Sequence, residues 1–199
     1  MKLRNLAVGA VAAMIGMSPL AFAAPGGQTV VTKYSSARNV VNLGADVDGS
    51  SYSMTAQTFD DASGVMQGAI SVDRFGFDPV TGLFGVSFIF CAGPAYANIV
   101  TLNRSTGASS VNAVLNPASP DCFGFNTTTL VVSVSGQPTG GFSRSDTGTT
   151  TFQFVGGTEK ATFQSDGFDE NFSGSIGYYT GAFSGNVEAA RITNRTRVK

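Results

Sequence analysis

Histidine and tryptophan are both absent from this chain, and only two of its 199 residues are cysteine. The missing histidine excludes the Ser-His-Asp triad and the Cys-His pair, and it removes the commonest transition-metal ligand. The missing tryptophan removes the usual platform for stacking on sugars. Neither a Gly-x-Ser-x-Gly nucleophile elbow nor a Gly-x-x-x-x-Gly-Lys-Ser/Thr phosphate cradle occurs. Lys33 and Lys160 are the only lysines in the body of the chain, and neither sits in a Ser-x-x-Lys frame. Catalysis, if any, is left to carboxylates, and the reading favours a protein that is not an enzyme.

Charge is also scarce. Charged residues are 13% of the chain, about half the usual quarter. Glutamate appears only at Glu159, Glu170 and Glu188. Helix surfaces draw on Glu, Lys, Arg and Gln, whereas sheets and turns accept the Thr, Ser, Gly and Asn that fill this chain. The composition therefore points away from helix.

The one long apolar run is N-terminal. Lys2 and Arg4 precede an apolar stretch from Leu6 to Met17, Pro19 ends it, and Ala21-Phe22-Ala23 has small residues at both specificity positions of a cleavage site. The run is shorter than the roughly 20 residues that span a bilayer. Residues 1–23 are thus expected to be a signal peptide, and 24–199 one domain beginning at Ala24. Export places the domain in the periplasm, at the cell surface or in the medium. Loss of Lys2 and Arg4 leaves 10 basic against 13 acidic residues, which is not the footprint of a nucleic-acid binder. The basic cluster Arg191, Arg195, Arg197 and Lys199 reads as a solvated terminus. No stretch of the mature chain is long and apolar enough for a transmembrane helix.

Apolar residues alternate with polar ones through the rest of the chain. Tyr52, Met54 and Ala56 form one row; Met66, Gly68, Ile70 and Val72 another. Phe84, Val86, Phe88 and Phe90 form a third, and Leu130, Val132 and Val134 a fourth. Phe152 and Phe154, then Phe172, Gly174, Ile176 and Tyr178, continue the pattern. Period two is the signature of strands. Asp61–Gly64, Asp78–Gly82 and Asn103–Gly107 each open on Asp or Asn and close on Gly, the chemistry of hairpin turns. The pattern predicts an all-β, antiparallel sandwich of roughly ten strands, with a small closed barrel as the alternative. The nearly continuous apolar run Val86 to Phe90 predicts a central or doubly buried strand, and most phenylalanines are expected in the core.

Cys91 and Cys122 are expected to pair, because two cysteines in an exported chain usually do. Asp166-Gly167-Phe168-Asp169-Glu170-Asn171 is the richest acidic stretch. It reads first as a solvated turn between strands. Its functional alternative is a Ca²⁺ site built from Asp166, Asp169, Glu170 and Asn171, since hard cations take oxygen ligands; no other cofactor is implied. Tyr178, Tyr179 and Phe183 are candidates for stacking on a ligand, with a rim position in the sandwich as the plainer reading. The function expected from these features is a non-catalytic binding or cell-envelope module, contacting an extracytoplasmic ligand or an envelope protein. A polysaccharide hydrolase using paired carboxylates and an outer-membrane β-barrel are the alternatives.

Overall fold

The structure, a computed structural model, describes residues 30–47, 49–60, 64–77 and 82–198. The expected signal segment 1–23 lies outside them. Most of the described residues build ten strands: β1 (Val30–Val47), β2 (Ser50–Asp60), β3 (Met66–Phe77), β4 (Phe84–Gly93), β5 (Val100–Leu102), β6 (Ser109–Leu115), β7 (Cys122–Gly124), β8 (Leu130–Phe154), β9 (Gly157–Ile176) and β10 (Tyr179–Val198). No helix among the described residues is long and apolar enough to cross a membrane.

The strands form one antiparallel sheet in the order β5-β6-β8-β9-β10-β1-β2-β3-β4-β7. The all-β, ten-stranded architecture read from the alternation is therefore present. Its two layers are halves of one continuous sheet. The sheet curls until β5 lies against β1 and β2, and β4 lies against β6. No ladder joins its two edge strands, β5 and β7, among the described residues.

Curling puts one residue in two on an inner face. Val41, Met54, Ala56, Ile70, Val72, Ile89, Val111, Val132, Val134, Phe172, Ile176 and Val187 meet there as one apolar core. Burying such a side chain fully stabilises by about 1.5–3 kcal/mol, and this row is the main reason for the curl. Residues at the intervening positions of β2, namely Ser51, Ser53 and Thr55, face outward and are exposed.

The meander expected from Tyr52 onward holds for β2-β3-β4 and then breaks. After β4 the chain turns through a 3₁₀ segment at Pro94–Tyr96, buries Tyr96 and Ile99, and reaches the opposite edge of the sheet as β5. The Asn103–Gly107 turn then forms the β5–β6 hairpin as its residues suggest. Asn103 Oδ1 accepts from the Ser105 and Thr106 amides at 3.0 and 3.3 Å.

The longest strands overrun the core. Beyond Phe168 and Val187, the ends of β8, β9 and β10 continue as a projecting arm, and β1 pairs along it from Val30. Most of the arm's described side chains are exposed or half-buried on both faces. The last residues of β10 are held in register by two neighbours up to Val198, so Arg191, Arg195 and Arg197 are strand residues and not a loose terminus.

Candidate functional site

The outer face of β3, β4 and β7 carries an exposed aromatic surface. Strand pairing sets Phe75 opposite Val86, Phe77 opposite Phe84, and Phe90 opposite Phe123. The rings touch: Phe84 packs edge-on against Phe75 at 4.9 Å and Phe77 at 5.4 Å, while Phe123 lies 5.0 Å from Phe90 and 5.9 Å from Phe88. Phe75, Phe77, Phe84, Val86, Phe123 and Phe125 nevertheless each expose more than half of their surface. Six such side chains amount to an apolar patch on the order of 600 Å², at the upper end of what a monomer's surface carries.

This overturns the expectation of a doubly buried strand at Val86 to Phe90. Ile89 and Cys91 are buried on the inner side, but the even-numbered residues of β4 face outward. Sequence cannot distinguish a strand buried on both faces from one that buries one face and displays aromatics on the other. Phe152 and Phe154, expected in the core, are likewise exposed, on the outer face of the arm.

β7 covers only part of the edge of β4, from Ile89 to Cys91. The Cys91–Cys122 disulfide, as expected, fastens it there. The Phe88 carbonyl accepts from the Phe125 and Asn126 amides at 2.9 and 3.2 Å, which ends the coverage. Alternate residues of a strand direct their backbone groups to the same side. The N–H and C=O of Val86 and Phe84 therefore point to the open edge, where no described strand pairs with them. Asp73 stands opposite Phe88 within the aromatic surface. Burial pushes its pKa up, and a 3.5 Å contact from the Ser53 hydroxyl offsets part of that rise.

A small cleft of about 100 Å³ opens at one end of the core, lined by Tyr52, Arg74, Ser87, Asn126, Thr128 and Tyr178 above Val72 and Ile176. Pairing of β2, β3 and β4 sets Tyr52, Arg74 and Ser87 side by side. The Arg74 guanidinium lies 6.0 Å from the centre of the Tyr52 ring. The lining has no carboxylate, so the cleft lacks the facing acids a glycoside hydrolase needs.

The stacking candidates separate. Tyr178 is exposed and lines this cleft. Tyr179 is half-buried and stacks on Tyr52 at 5.0 Å, and Phe183 is buried beneath Tyr179 in an edge contact of 5.1 Å. Tyr179 and Phe183 are structural, and of the three only Tyr178 is placed to meet a ligand.

The acidic stretch is corrected more sharply. Asp166, Asp169, Glu170 and Asn171 lie inside β9 and not in a turn. Strand alternation sends Asp166 and Glu170 to the inner face and Asp169 and Asn171 to the outer one. They cannot converge on one cation, and no group of three or more potential metal ligands occurs among the described residues. Asp166 accepts from the Ser145 hydroxyl at 2.8 Å. Glu170 is 1% exposed, sealed in the core, and out of reach of any substrate. An Asp-Gly pair reads as a turn, but its register with β8 and β10 keeps it in the sheet.

No family model matches the chain, and no curated protein matches it. A solved protein of Nitrosomonas europaea, provisionally assigned as AttH, is similar at a TM-score of 0.35 and 10% identity, over 83% of this chain and 51% of that one. The chain spans about half the length of that protein. A likeness this distant carries no argument about what the chain does.

Proposed function

We propose that this chain is a non-catalytic module of the cell envelope or cell surface that works by self-association through the open edge of β4. The observation that carries the reading is the uncovered β4 edge bordering the aromatic surface of Phe75, Phe77, Phe84, Phe123 and Phe125. Exposed edges are normally guarded by Lys, Pro or a bulge. Here the edge residues are Phe84-Gly85-Val86-Ser87-Phe88, with no charge and no proline.

The same five residues supply the argument for a second copy as partner. They read almost identically in both directions about Val86. In an antiparallel pair centred there, each Val86 exchanges both backbone hydrogen bonds with its copy. Gly85 then stands opposite Ser87 of the other chain, and the new ladder ends there, because the Phe88 carbonyl is already taken by the Phe125 and Asn126 amides. Pairing there brings the aromatic surfaces of the two copies together and takes them out of water. A two-fold interface of this kind is the commonest way for identical chains to associate.

Catalysis is disfavoured by the same geometry. The cleft holds no acid, Glu170 is sealed, and Asp73 stands on an outer face among phenylalanines. The barrel alternative is disfavoured because the inner face is a packed apolar core and the outward residues of β2 are polar. The signal-like features of residues 1–23 support the location.

Sedimentation equilibrium of the purified chain tests the proposal. A dimer for the native sequence and a monomer for Val86→Lys, with unchanged circular dichroism, are expected. A native chain that stays monomeric at every concentration, or a Val86→Lys chain that still dimerises, overturns it.

A further inference from the structure

Four of the arm's cations, Lys160, Arg191, Arg195 and Arg197, share one face. Arg191, Arg195 and Arg197 are separated by four and two residues along β10, so their side chains leave the same side of the strand. Lys160 of β9 stands directly opposite Arg195, and Lys33 of β1 is the register partner of Arg195 on its other side. The side is the one that forms the core further along, as shown by Val187 and Ala189 on the same strand, both buried. Past Ala189 it is polar, and Lys160, Arg191, Arg195 and Arg197 are all exposed.

Like charges directly opposite on neighbouring strands destabilise a sheet. Among the described residues, no acid on that face stands beside Lys160, Arg195 or Arg197 to relieve them. On β8, β9 and β10 their neighbours, across and along the strands, are Thr151, Thr158, Thr162 and Thr193. Asp166, diagonal to Arg191, is taken up by Ser145. Three acids of the arm, Asp146, Glu159 and Glu188, occupy the opposite face by alternation, while Asp60 of β2 is on the cation face at Ala37, away from Lys160, Arg195 and Arg197. A row of cations with no acid beside it in register is the arrangement of a surface completed by an anion from outside.

The rest of the face says which anion. It is lined by the hydroxyls of Thr147, Thr149, Thr151 and Thr162 and the amides of Gln153 and Gln164, all exposed. There is no aromatic ring among them, so nothing there can stack on the bases of a single-stranded nucleic acid. Among the described side chains of that face, no apolar anchor stands beside the cations to enter a lipid surface. Hydroxyls and amides interleaved with guanidinium groups suit a ligand carrying both carboxylates and hydroxyls. Strand geometry sets Arg195 and Arg197 about 7 Å apart along β10, and Lys160 about 5 Å across from Arg195. These spacings suit charges repeated along an extended polymer.

We infer that the inner face of the β8–β9–β10 arm binds an acidic polysaccharide, its carboxylates on Lys160, Arg195 and Arg197 and its hydroxyls on the surrounding Thr and Gln side chains. The site is separate from the β4 edge and does not depend on it.

Polygalacturonate, dextran as the neutral polymer, and an oligothymidylate strand serve as probes for the intact chain in isothermal titration at low salt. Binding of polygalacturonate, weakened steadily by added salt, with no binding of dextran, is expected. Replacing Lys160 and Arg195 together by Gln should weaken it about tenfold or more. Arg197→Gln, at the end of the row, gives a second variant that leaves the paired cations intact and should weaken binding less. Val86→Lys should bind as the native chain does. Failure of polygalacturonate to bind, binding unchanged in both Gln variants, or tighter binding of the oligothymidylate overturns the inference.

Discussion

The Ser109 hydroxyl donates a 2.5 Å hydrogen bond to Oε2 of Glu170 inside the apolar core, and Oε1 of the same carboxyl has no partner. The pair joins β6 to β9 across β8, at the point where a Cβ on Gly136 would stand 1.9 Å from Oε2. A glycine there makes room for a buried acid that has no counterion.

Burial pushes the Glu170 carboxyl up from its ordinary value of 4.5, and the Ser109 bond only partly opposes this. Between the ordinary and the raised value the native state therefore binds a proton more readily than the unfolded chain does. Stability from this group is full below the ordinary value and is lost as pH rises through the raised one. Glu170→Gln keeps the shape and removes the titration. Melts of the two chains should diverge as pH rises above 4.5, with the variant the more stable at neutral pH. Parallel curves would show that the carboxyl is solvated after all.

Ser109→Ala leaves both oxygens of Glu170 without a partner. Such a loss costs about 1–3 kcal/mol. Urea titration at neutral pH should show it as a lower midpoint with an unchanged slope, and in the Glu170→Gln background the same substitution should cost less.

Reduction of Cys91–Cys122 opens a loop with a sequence separation of 31 residues. In the chain-entropy account this costs roughly 3–4 kcal/mol. The first region to loosen should be β7, which among the described strands pairs with β4 alone. Hydrogen exchange with and without reductant reads this directly, and equal protection of Phe123 and Phe125 in both states would contradict it.

Gly124 has φ +155°, and a Cβ there would stand 2.1 Å from the Phe88 carbonyl oxygen. That close approach lets β7 reach β4 and sets Phe123 and Phe125 on the outer face. Gly124→Ala should cost on the order of 1–3 kcal/mol and release the Phe125 amide to exchange, while Gly85→Ala, where a Cβ meets nothing within 4 Å, should not.

Phe172 and Phe152 occupy alternating apolar rows that look alike in sequence. Phe172 is 1% exposed and Phe152 64% exposed. Phe172→Ala should therefore cost about 3–5 kcal/mol, and Phe152→Ser no more than about 0.5 kcal/mol. Thermal melts of the two variants check both.

What the sequence determined by itself is the class of local structure. Alternation at Tyr52-Met54-Ala56 and Val132-Val134 sets strands, and it names their inner residues, because side-chain period is a property of the backbone alone. Turn chemistry at Asn103–Gly107 and the pairing of Cys91 with Cys122 were legible for the same reason: each rests on residue types and a short reach or a single partner. Which face of a doubly apolar strand is covered is not a local property. It depends on what the rest of the chain brings to that face, and for Phe84, Val86, Phe152 and Phe154 it brings nothing. Only the tertiary structure decided that Asp166 to Asn171 is strand, since two flanking ladders outweigh the turn preference of Asp-Gly. It also decided that Arg195 meets Lys160, because register across a sheet joins residues whose separation along the chain carries no signal of their contact.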